Sequence, residues 1–224
     1  MIRPLLDNTS WFPRLLFTSI LVLLIACSEE DEPAVSSDDD DVEVVADLET
    51  TFGIFTVQED RTTIEMNGVI TSSSLDDFNE LIDSHPDINL INIIECEGSD
   101  DDEINLLVAA RVHSLMIDTH IVDEGLVASG GTDFFLAGIN RSIGTDVLIG
   151  VHSWAGKDDN GNDVVATDFT EGDEMHQPYI DYYVSVGFTQ ENAEAFYYFT
   201  INAAPFDDIH WMTDEELETY GILN

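Results

Sequence analysis

The segment 127–131, Val-Ala-Ser-Gly-Gly, constrains the fold of this chain more than any other segment, because it puts a serine and two glycines directly after an apolar run. A second apolar run, 147–151, ends at His152. This order fits a strand, a tight turn, a helix and a second strand, which would bring the hydroxyl of Ser129 beside the imidazole of His152. A serine oxygen becomes a strong nucleophile when a base takes its proton, so the pair predicts a nucleophile and its general base.

The two glycines after Ser129 admit two explanations. Gly130 and Gly131 leave the backbone uncovered, so their N–H groups could hold the negative oxygen that forms during acyl transfer. The same glycines could instead let a helix pack closely against a sheet. The two explanations are compatible, and a serine before two glycines is also common in ordinary turns.

A longer pattern around these residues resembles a known family. The segment 128–138, Arg141 and the segment 150–152 resemble the proteolytic subunit of Clp protease and its periplasmic relatives in the crotonase-like superfamily. The resemblance implies that Ser129 is the nucleophile at the start of a helix. It also implies that His152, at the end of the following strand, is the general base.

Upstream, the segment 91–99 resembles the strand that leads into the glycine loop of this family. The resemblance implies that backbone N–H groups of Ser99 and Gly130 bind the oxyanion. Ser99 stands where the family usually has a second glycine, and a serine still supplies a backbone N–H. The Gly-x-Ser-x-Gly elbow of α/β-hydrolases is disfavoured, because Val127 occupies the position of its first glycine.

A catalytic triad also needs a group that orients the histidine. In the resembled family this acid follows the histidine and lies near the final helix. The segment 213–216 predicts the start of that helix through a capping box of Thr213 and Glu216. The candidate acids just upstream are Asp208 and Asp207, and the amide of Asn202 is a third candidate.

The first 26 residues predict a secretory signal peptide. Arg3 and Arg14 precede the almost wholly apolar run 15–26, which is too short for a confident membrane span. The run ends at Cys27 in a sequence that resembles the bacterial lipoprotein box, which implies lipidation of Cys27. Ser28 follows instead of aspartate, which favours the outer membrane. A plain signal peptide with a chance cysteine, or a short anchor helix, are the alternatives.

Acidic residues outnumber basic ones heavily, and the formal net charge is −41. Nucleic acid is therefore excluded as a partner, and anionic lipid surfaces are poor partners. The acidic segment 27–42 has too few apolar residues to fold, so it predicts a disordered tether between the lipid anchor and the domain. These features predict that the domain lies in the cell envelope, in the periplasm or on the exterior.

The remaining residues, 43–224, predict one domain of the α/β class, with crotonase-like and Clp-protease-like ββα units. Apolar strands, including 88–94, 119–122 and 147–151, alternate with helices, including 102–116 and 130–137. Such alternation implies βαβ crossovers and a mainly parallel sheet flanked by helices. Reactive groups in such folds stand at strand ends and helix starts.

Two smaller features bear on cofactors and redox chemistry. The acidic run 158–163 superficially resembles a calcium loop, but its glycine is misplaced, so Asn160-Gly161 predicts a hairpin turn. We expect no metal and no cofactor. If Cys27 is acylated, Cys96 has no disulfide partner and is expected to be a buried strand residue.

The pattern as a whole predicts a membrane-tethered serine hydrolase, with a peptidase as the first choice and a peptide or other acyl compound as substrate. A non-catalytic crotonase-like binding or scaffold lipoprotein is the alternative, motivated by Ser99 and by the unresolved acid. Members of the superfamily often form trimers or rings, so the resemblance also allows a homo-oligomer.

Overall fold

The computed structural model of the chain describes residues 49–158 and 160–224. The predicted signal peptide, its lipidation site Cys27 and the acidic tether 27–42 lie outside the described residues. Within the described ranges, none of the helices has the length and apolar character needed to cross a bilayer.

The first half of the domain alternates strands and helices as the sequence predicts. Its elements are β1 (Thr51–Phe52), β2 (Phe55–Val57), β3 (Thr63–Asn67), α1 (Ser74–Ser84), β4 (Leu90–Cys96), α2 (Asp102–Ser114), β5 (Asp118–Ala128) and α3 (Gly130–Leu136).

The second half contains more short strands and two longer helices. Its elements are β6 (Arg141–Ile143), β7 (Leu148–Val151), β8 (Ala155–Lys157), β9 (Asp163–Val165), α4 (Gln177–Ser185), α5 (Gln190–Ala203), β10 (His210–Trp211) and α6 (Asp214–Thr219). Short 3₁₀ turns at Ala166–Asp168 and Glu174–His176 precede α4.

The main sheet has the strand order β1-β2-β3-β4-β5-β7-β10, with β6 beside β5. Strands β3, β4, β5 and β7 are parallel neighbours, while β1, β2 and β10 join the sheet antiparallel. The expected α/β class with a mainly parallel sheet is therefore confirmed. Helices cross between the parallel strands because a parallel pair requires a crossover connection.

Local sequence explains several element boundaries. Helix α1 buries Phe78, Leu81 and Ile82 along one side and carries Asp76 and Asp77 in its first turn, where negative charge is favourable. Strand β4 buries its alternating residues and leads into the site loop.

The capping box predicted at the last helix is confirmed. The Thr213 side chain accepts a hydrogen bond from the Glu216 N–H, and the Glu216 side chain reaches back to the Thr213 N–H. This reciprocal arrangement satisfies two N–H groups that a helix start otherwise leaves unpaired.

Strand β5 is longer than the apolar pattern predicts. The sequence indicates a strand that stops at Val122, whereas β5 continues to Ala128. Its pairing with β4 shifts register between Ile93 and Glu95, and Glu124 adopts a positive φ of 59°. The exposed pair Asp123 and Glu124 interrupts the apolar pattern at this irregularity, which hides the continuation of the strand.

Arg141 anchors the end of the chain. Although it is charged, only 7% of its surface is exposed. Its guanidinium donates to the carbonyl oxygens of Ile222, Leu136 and Gly221 at 2.7, 3.2 and 3.2 Å. It also lies 5.6 Å from the ring centre of Phe188. These contacts fix the C-terminal segment beside the end of α3.

Candidate active site

Ser129 lies at the junction of β5 and α3, where it is the N-cap residue of the helix with φ 52° and ψ −129°. A positive φ is uncommon for a residue with a side chain and costs about 1–3 kcal/mol when the surrounding structure enforces it. Such strain is typical of functional turns between a strand and a helix. The turn presents the side chain of Ser129 at the end of the sheet.

The two glycines that follow have a demonstrable packing role. A Cβ atom on Gly130 would overlap the side chains of Ser99 and Asn105, and one on Gly131 would overlap the backbone carbonyl of Cys96. Asn105, which is buried, also donates to the carbonyl of Gly130 at 3.0 Å. Close packing on the end of β4 therefore excludes a larger residue at Gly131, and packing against Ser99 and α2 excludes one at Gly130.

His152 follows β7, the strand next to β5 in the sheet. Ala128 and Gly150 are register partners, and the N–H of Ser129 donates to the carbonyl of Gly150 at 3.1 Å. Ser129 and His152 line one cavity of about 40 Å³. The fold thus brings both residues to one cavity beyond the ends of two neighbouring strands. Within the described residues, Ser129 Oγ makes no hydrogen bond in this state.

The imidazole of His152 is oriented by a backbone carbonyl. Its Nδ1 lies 3.0 Å from the carbonyl oxygen of Phe206. A carbonyl only accepts, so Nδ1 carries the proton in this hydrogen bond, and in the neutral ring Nε2 is left as an acceptor. That tautomer is the one a general base needs, and in serine proteases a carboxylate enforces it.

The predicted orienting groups lie elsewhere in this state. Asp207 and Asp208 are both exposed, and the Asp208 carboxylate accepts from the N–H of Ile209 at 2.9 Å. Asn202 is exposed and donates to the Tyr198 carbonyl at 2.7 Å. The acid of the predicted triad therefore stays a prediction. The group that contacts His152 is the backbone carbonyl of Phe206, the residue before Asp207.

The predicted oxyanion residues converge beside Ser129. Gly98 has φ 150°, and a Cβ added to it would lie 3.6 Å from Ser129 Oγ. Ser99 follows it, and within the described residues no hydrogen bond uses its backbone N–H. Gly130 is the first residue of α3, so its N–H has no acceptor inside the helix. Both N–H groups are therefore available near the hydroxyl.

Two aspartates in the wall of the cavity were missed by the sequence analysis. Asp102, at the start of α2, accepts hydrogen bonds from Ser99 Oγ and from Tyr179 Oη, the latter at 2.7 Å. Asp133 lies in α3 and accepts from Tyr183 Oη at 2.7 Å. Burial, together with a smaller contribution from the negative charge of Asp102, raises the pKa of Asp133 to about 7, while the hydrogen bond from Tyr183 opposes this rise. The position of Asp133 four residues after Ser129, about one helical turn, was the signal that could have identified it.

Aromatic side chains form much of the remaining wall. The rings of Trp154 and Tyr179 stack with centres 6.4 Å apart, and those of Tyr179 and Tyr197 with centres 5.6 Å apart. Trp154 Nε1 donates to Tyr197 Oη at 2.9 Å. Tyr183 is buried, and it lines the cavity with Tyr179. Burial raises the pKa of each of these three tyrosine hydroxyls above its ordinary value.

The acidic run after His152 forms a hairpin, as the sequence predicts. Strands β8 and β9 pair antiparallel, and Lys157 Nζ contacts Asp163 Oδ1 at 2.6 Å. The carboxylate of Asp158 is occupied by bonds from the N–H groups of Asn160 and Asn162 within the turn. In the described part of the chain, no group of three or more histidine, cysteine, aspartate or glutamate residues has the geometry to hold a metal ion.

Cys96 is fully buried at the end of β4, as expected, and is a free thiol. Burial raises its pKa to about 12. The thiolate is the reactive form of cysteine, so Cys96 is an inert packing residue despite its proximity to the site.

Comparisons with known proteins show similarity to solved structures in the fold of the backbone. No protein-family model matches the chain, and a search of curated proteins finds no match. Among solved structures, the membrane-bound stomatin-specific protease 1510-N with a substrate peptide is 21% identical, covers 72% of this chain and 71% of its own, and has a TM-score of 0.47.

Two Clp proteins give similar values. A mutant of ClpP1 from Listeria monocytogenes is 19% identical with a TM-score of 0.48, and the match covers 74% of this chain and 90% of that protein. The ClpP catalytic domain from Plasmodium falciparum is 18% identical with a TM-score of 0.47, covering 74% and 84%. These are partial likenesses of fold, and the residues of the cavity are the basis for inferring the function.

Proposed function

We propose that the protein is a serine hydrolase of the peptidase class in which Ser129 is the nucleophile and His152 the general base. The observation that supports this most directly is the strained turn at Ser129, which opens into the same cavity as His152. Strain of this kind persists only where surrounding contacts enforce it, and it clusters at functional sites.

In the proposed reaction, Ser129 Oγ attacks the acyl carbon of the substrate while His152 Nε2 takes the hydroxyl proton. The N–H groups of Gly130 and Ser99 bind the oxygen that becomes negative. His152 then gives the proton to the leaving group, and an acyl-enzyme remains on Ser129. Water, activated by the same imidazole, hydrolyses this ester and restores the hydroxyl.

The apo geometry is compatible with this sequence of steps. Ser129 Oγ has no competing hydrogen bond in the described residues, so the hydroxyl is free to turn toward His152 when substrate enters. Catalytic hydrogen bonds are often long in apo structures and tighten in the substrate complex. The Phe206 carbonyl supports the tautomer that this proton transfer requires.

The setting of the reaction is proposed from the sequence. The signal peptide 1–26 and lipidation at Cys27 would tether the domain to a membrane of the cell envelope, with the outer membrane favoured. The acidic segment 27–42 would hold the domain away from the lipid surface. A homo-oligomer remains compatible with this arrangement.

Labelling with a fluorophosphonate tests the proposed nucleophile. We expect the full-length protein to be labelled, and Ser129→Ala and His152→Gln to lose the label. Ser72→Ala removes an exposed hydroxyl that is distant from Ser129 in the sequence, so this variant should be labelled like the wild type. Mass spectrometry of the modified peptide identifies the residue, and a label on any other serine would refute the assignment.

A non-catalytic binding protein is the second candidate. It is favoured by the lack of a hydrogen bond from Ser129 Oγ to His152 within the described residues and by the carbonyl, rather than a carboxylate, on Nδ1. A folded wild-type protein that resists fluorophosphonates at every pH from about 5 to 8, the range over which histidine titrates, would establish this candidate over hydrolysis.

A further inference from the structure

The cavity beside Ser129 contains a carboxylate oxygen that no described protein group uses. Asp133 Oδ1 accepts from Tyr183 Oη, but no hydrogen bond from the described residues reaches Asp133 Oδ2. The Oδ2 atom is not completely enclosed by protein atoms, so part of its surface is accessible in the cavity. Above about pH 7, where Asp133 is ionised, this open carboxylate oxygen is a strong acceptor for a charged donor.

A second carboxylate stands in the same wall without a basic partner. Both oxygens of Asp102 are bound, by Ser99 Oγ and Tyr179 Oη, so this side chain is held in place. Among the described residues that line the cavity, none is a lysine or an arginine. His152 is the one basic side chain among the described lining residues, so two carboxylates without a permanently charged counter-ion favour a cationic ligand and oppose an anionic one.

The aromatic wall has the same preference. Trp154, Tyr179 and Tyr197 form a stacked series that lines the cavity. The face of an aromatic ring carries partial negative charge and attracts an ammonium or guanidinium group. Aromatic faces and carboxylates together are a common means of binding alkylammonium groups.

The size of the cavity limits the shape of the cation. Its volume of 40 Å³ gives room for about three water-sized groups, so it fits the end of an unbranched chain and excludes an aromatic ring. Asp133 follows Ser129 by four residues, which corresponds to a rise of about 6 Å along a helix. The four-carbon stem of a lysine side chain can span such a distance and end in a compact ammonium group.

We propose that this cavity binds the ammonium group of a lysine-like side chain, so that the substrate is a peptide or acyl compound with a primary amine next to the bond that is cleaved. The substrate preference rests on the hydrolase function proposed above. Asp133 supplies the acceptor, Asp102 adds negative charge, and the aromatic rings surround the alkyl stem. An acidic or aromatic side chain at the same position would be rejected.

Matched ester substrates test the preference. Thiobenzyl esters of Nα-acetyl-lysine and Nα-acetyl-norleucine differ only in the ε-amine. The corresponding trimethyl-lysine ester keeps the positive charge but has a larger ammonium group. We expect the full-length protein to prefer the lysine ester over both others by at least about tenfold in kcat/KM, a ratio typical of one charge-assisted hydrogen bond. Asp133→Asn should abolish the preference, while Asp76→Asn, which removes an exposed carboxylate in α1, should retain it. Equal rates for lysine and norleucine would overturn the proposal and leave the hydrolase assignment intact.

A binding measurement separates the cavity from the chemistry. Ser129→Ala keeps the cavity wall without the proposed nucleophile, and calorimetry at constant ionic strength can compare n-butylammonium with tetramethylammonium. Saturable binding of n-butylammonium alone, weakened at least about tenfold by Asp133→Asn, would support the proposal even if no ester is hydrolysed. Equal binding of the two cations would mean attraction to the acidic surface only and would overturn it.

Discussion

The Nδ1 atom of His152 lies 3.0 Å from the carbonyl oxygen of Phe206, a residue 54 positions later in the chain. The contact crosses from the end of β7 to the loop between α5 and β10. A neighbouring hydrogen bond, from the Ser153 N–H to the Ala204 carbonyl at 2.9 Å, holds the same two segments together. A backbone carbonyl thus contacts Nδ1, the atom for which the sequence suggested a carboxylate partner.

The first prediction concerns the two exposed acids of this loop. Replacing Asp207 or Asp208 by Asn should change the rate of fluorophosphonate labelling by less than about threefold, since the Phe206 carbonyl sets the tautomer of His152. A true triad acid would give a loss of about 10⁴. A loss of that size in either variant would show that its carboxylate moves onto His152 in the working enzyme.

The second prediction concerns the strain at Ser129. Ser129→Gly should increase the free energy of unfolding by about 1–3 kcal/mol relative to Ser129→Ala, because glycine adopts φ 52° without the cost that alanine retains. Both variants should be inert toward fluorophosphonates. Urea denaturation measures the difference, and equal stability of the two variants would mean that the turn stores no strain.

The third prediction concerns the close approach of α3 to β4. Gly131→Ala should lower the free energy of unfolding by about 1–3 kcal/mol, because its Cβ would overlap the Cys96 carbonyl. Gly156→Ala in β8 is the matched control, since no atom lies within 4 Å of the added methyl group. If the two variants denature at the same urea concentration, the packing account of Gly131 is wrong.

The fourth prediction follows from the raised pKa of Asp133. The folded protein holds this proton up to about pH 7, whereas an unfolded aspartate releases it near 3.8. Between these values the folded state binds more protons, so Asp133 lowers the free energy of unfolding as the pH rises, by up to about 4 kcal/mol.

Asp133→Asn removes this proton and should make the protein more stable than the wild type above pH 7. The advantage should disappear below about pH 4, where the wild-type carboxyl is protonated in both states. Urea denaturation across this pH range measures it, with Asp76→Asn as a control for the loss of one negative charge. A constant difference between Asp133→Asn and wild type at all pH values would contradict the raised pKa.

The fifth prediction concerns the anchor of the C-terminal segment. Arg141→Lys should lower the free energy of unfolding by about 3 kcal/mol, because an ammonium cannot reach the three carbonyl oxygens that the guanidinium binds in different directions. Arg111→Lys, at an exposed position of α2, should have little effect. Amide hydrogen exchange should show faster exchange at α6 in the Arg141 variant alone.

The sequence predicts much of the local structure. The capping box of Thr213 and Glu216, the buried strand around Cys96 and the hairpin at Asn160-Gly161 each depend on interactions between residues a few positions apart. Helix α5 was not identified, although it buries Phe196 and Tyr197. Aromatic residues also favour strands, so composition gave an ambiguous signal there.

Residue order alone thus predicted the parallel α/β arrangement and the approach of Ser129 and His152 to one cavity, because strand alternation and the Ser-Gly-Gly turn are local properties of the chain. Only the tertiary structure decided that Phe206 would contact His152 and that Asp102 and Asp133 would share a cavity with Ser129. Those contacts join distant segments whose meeting depends on loop paths and on how helices pack on the sheet. The chain carries so many acids that no spacing rule could single out Asp102, whereas Asp133 follows Ser129 by about one helical turn and could have been identified from that spacing.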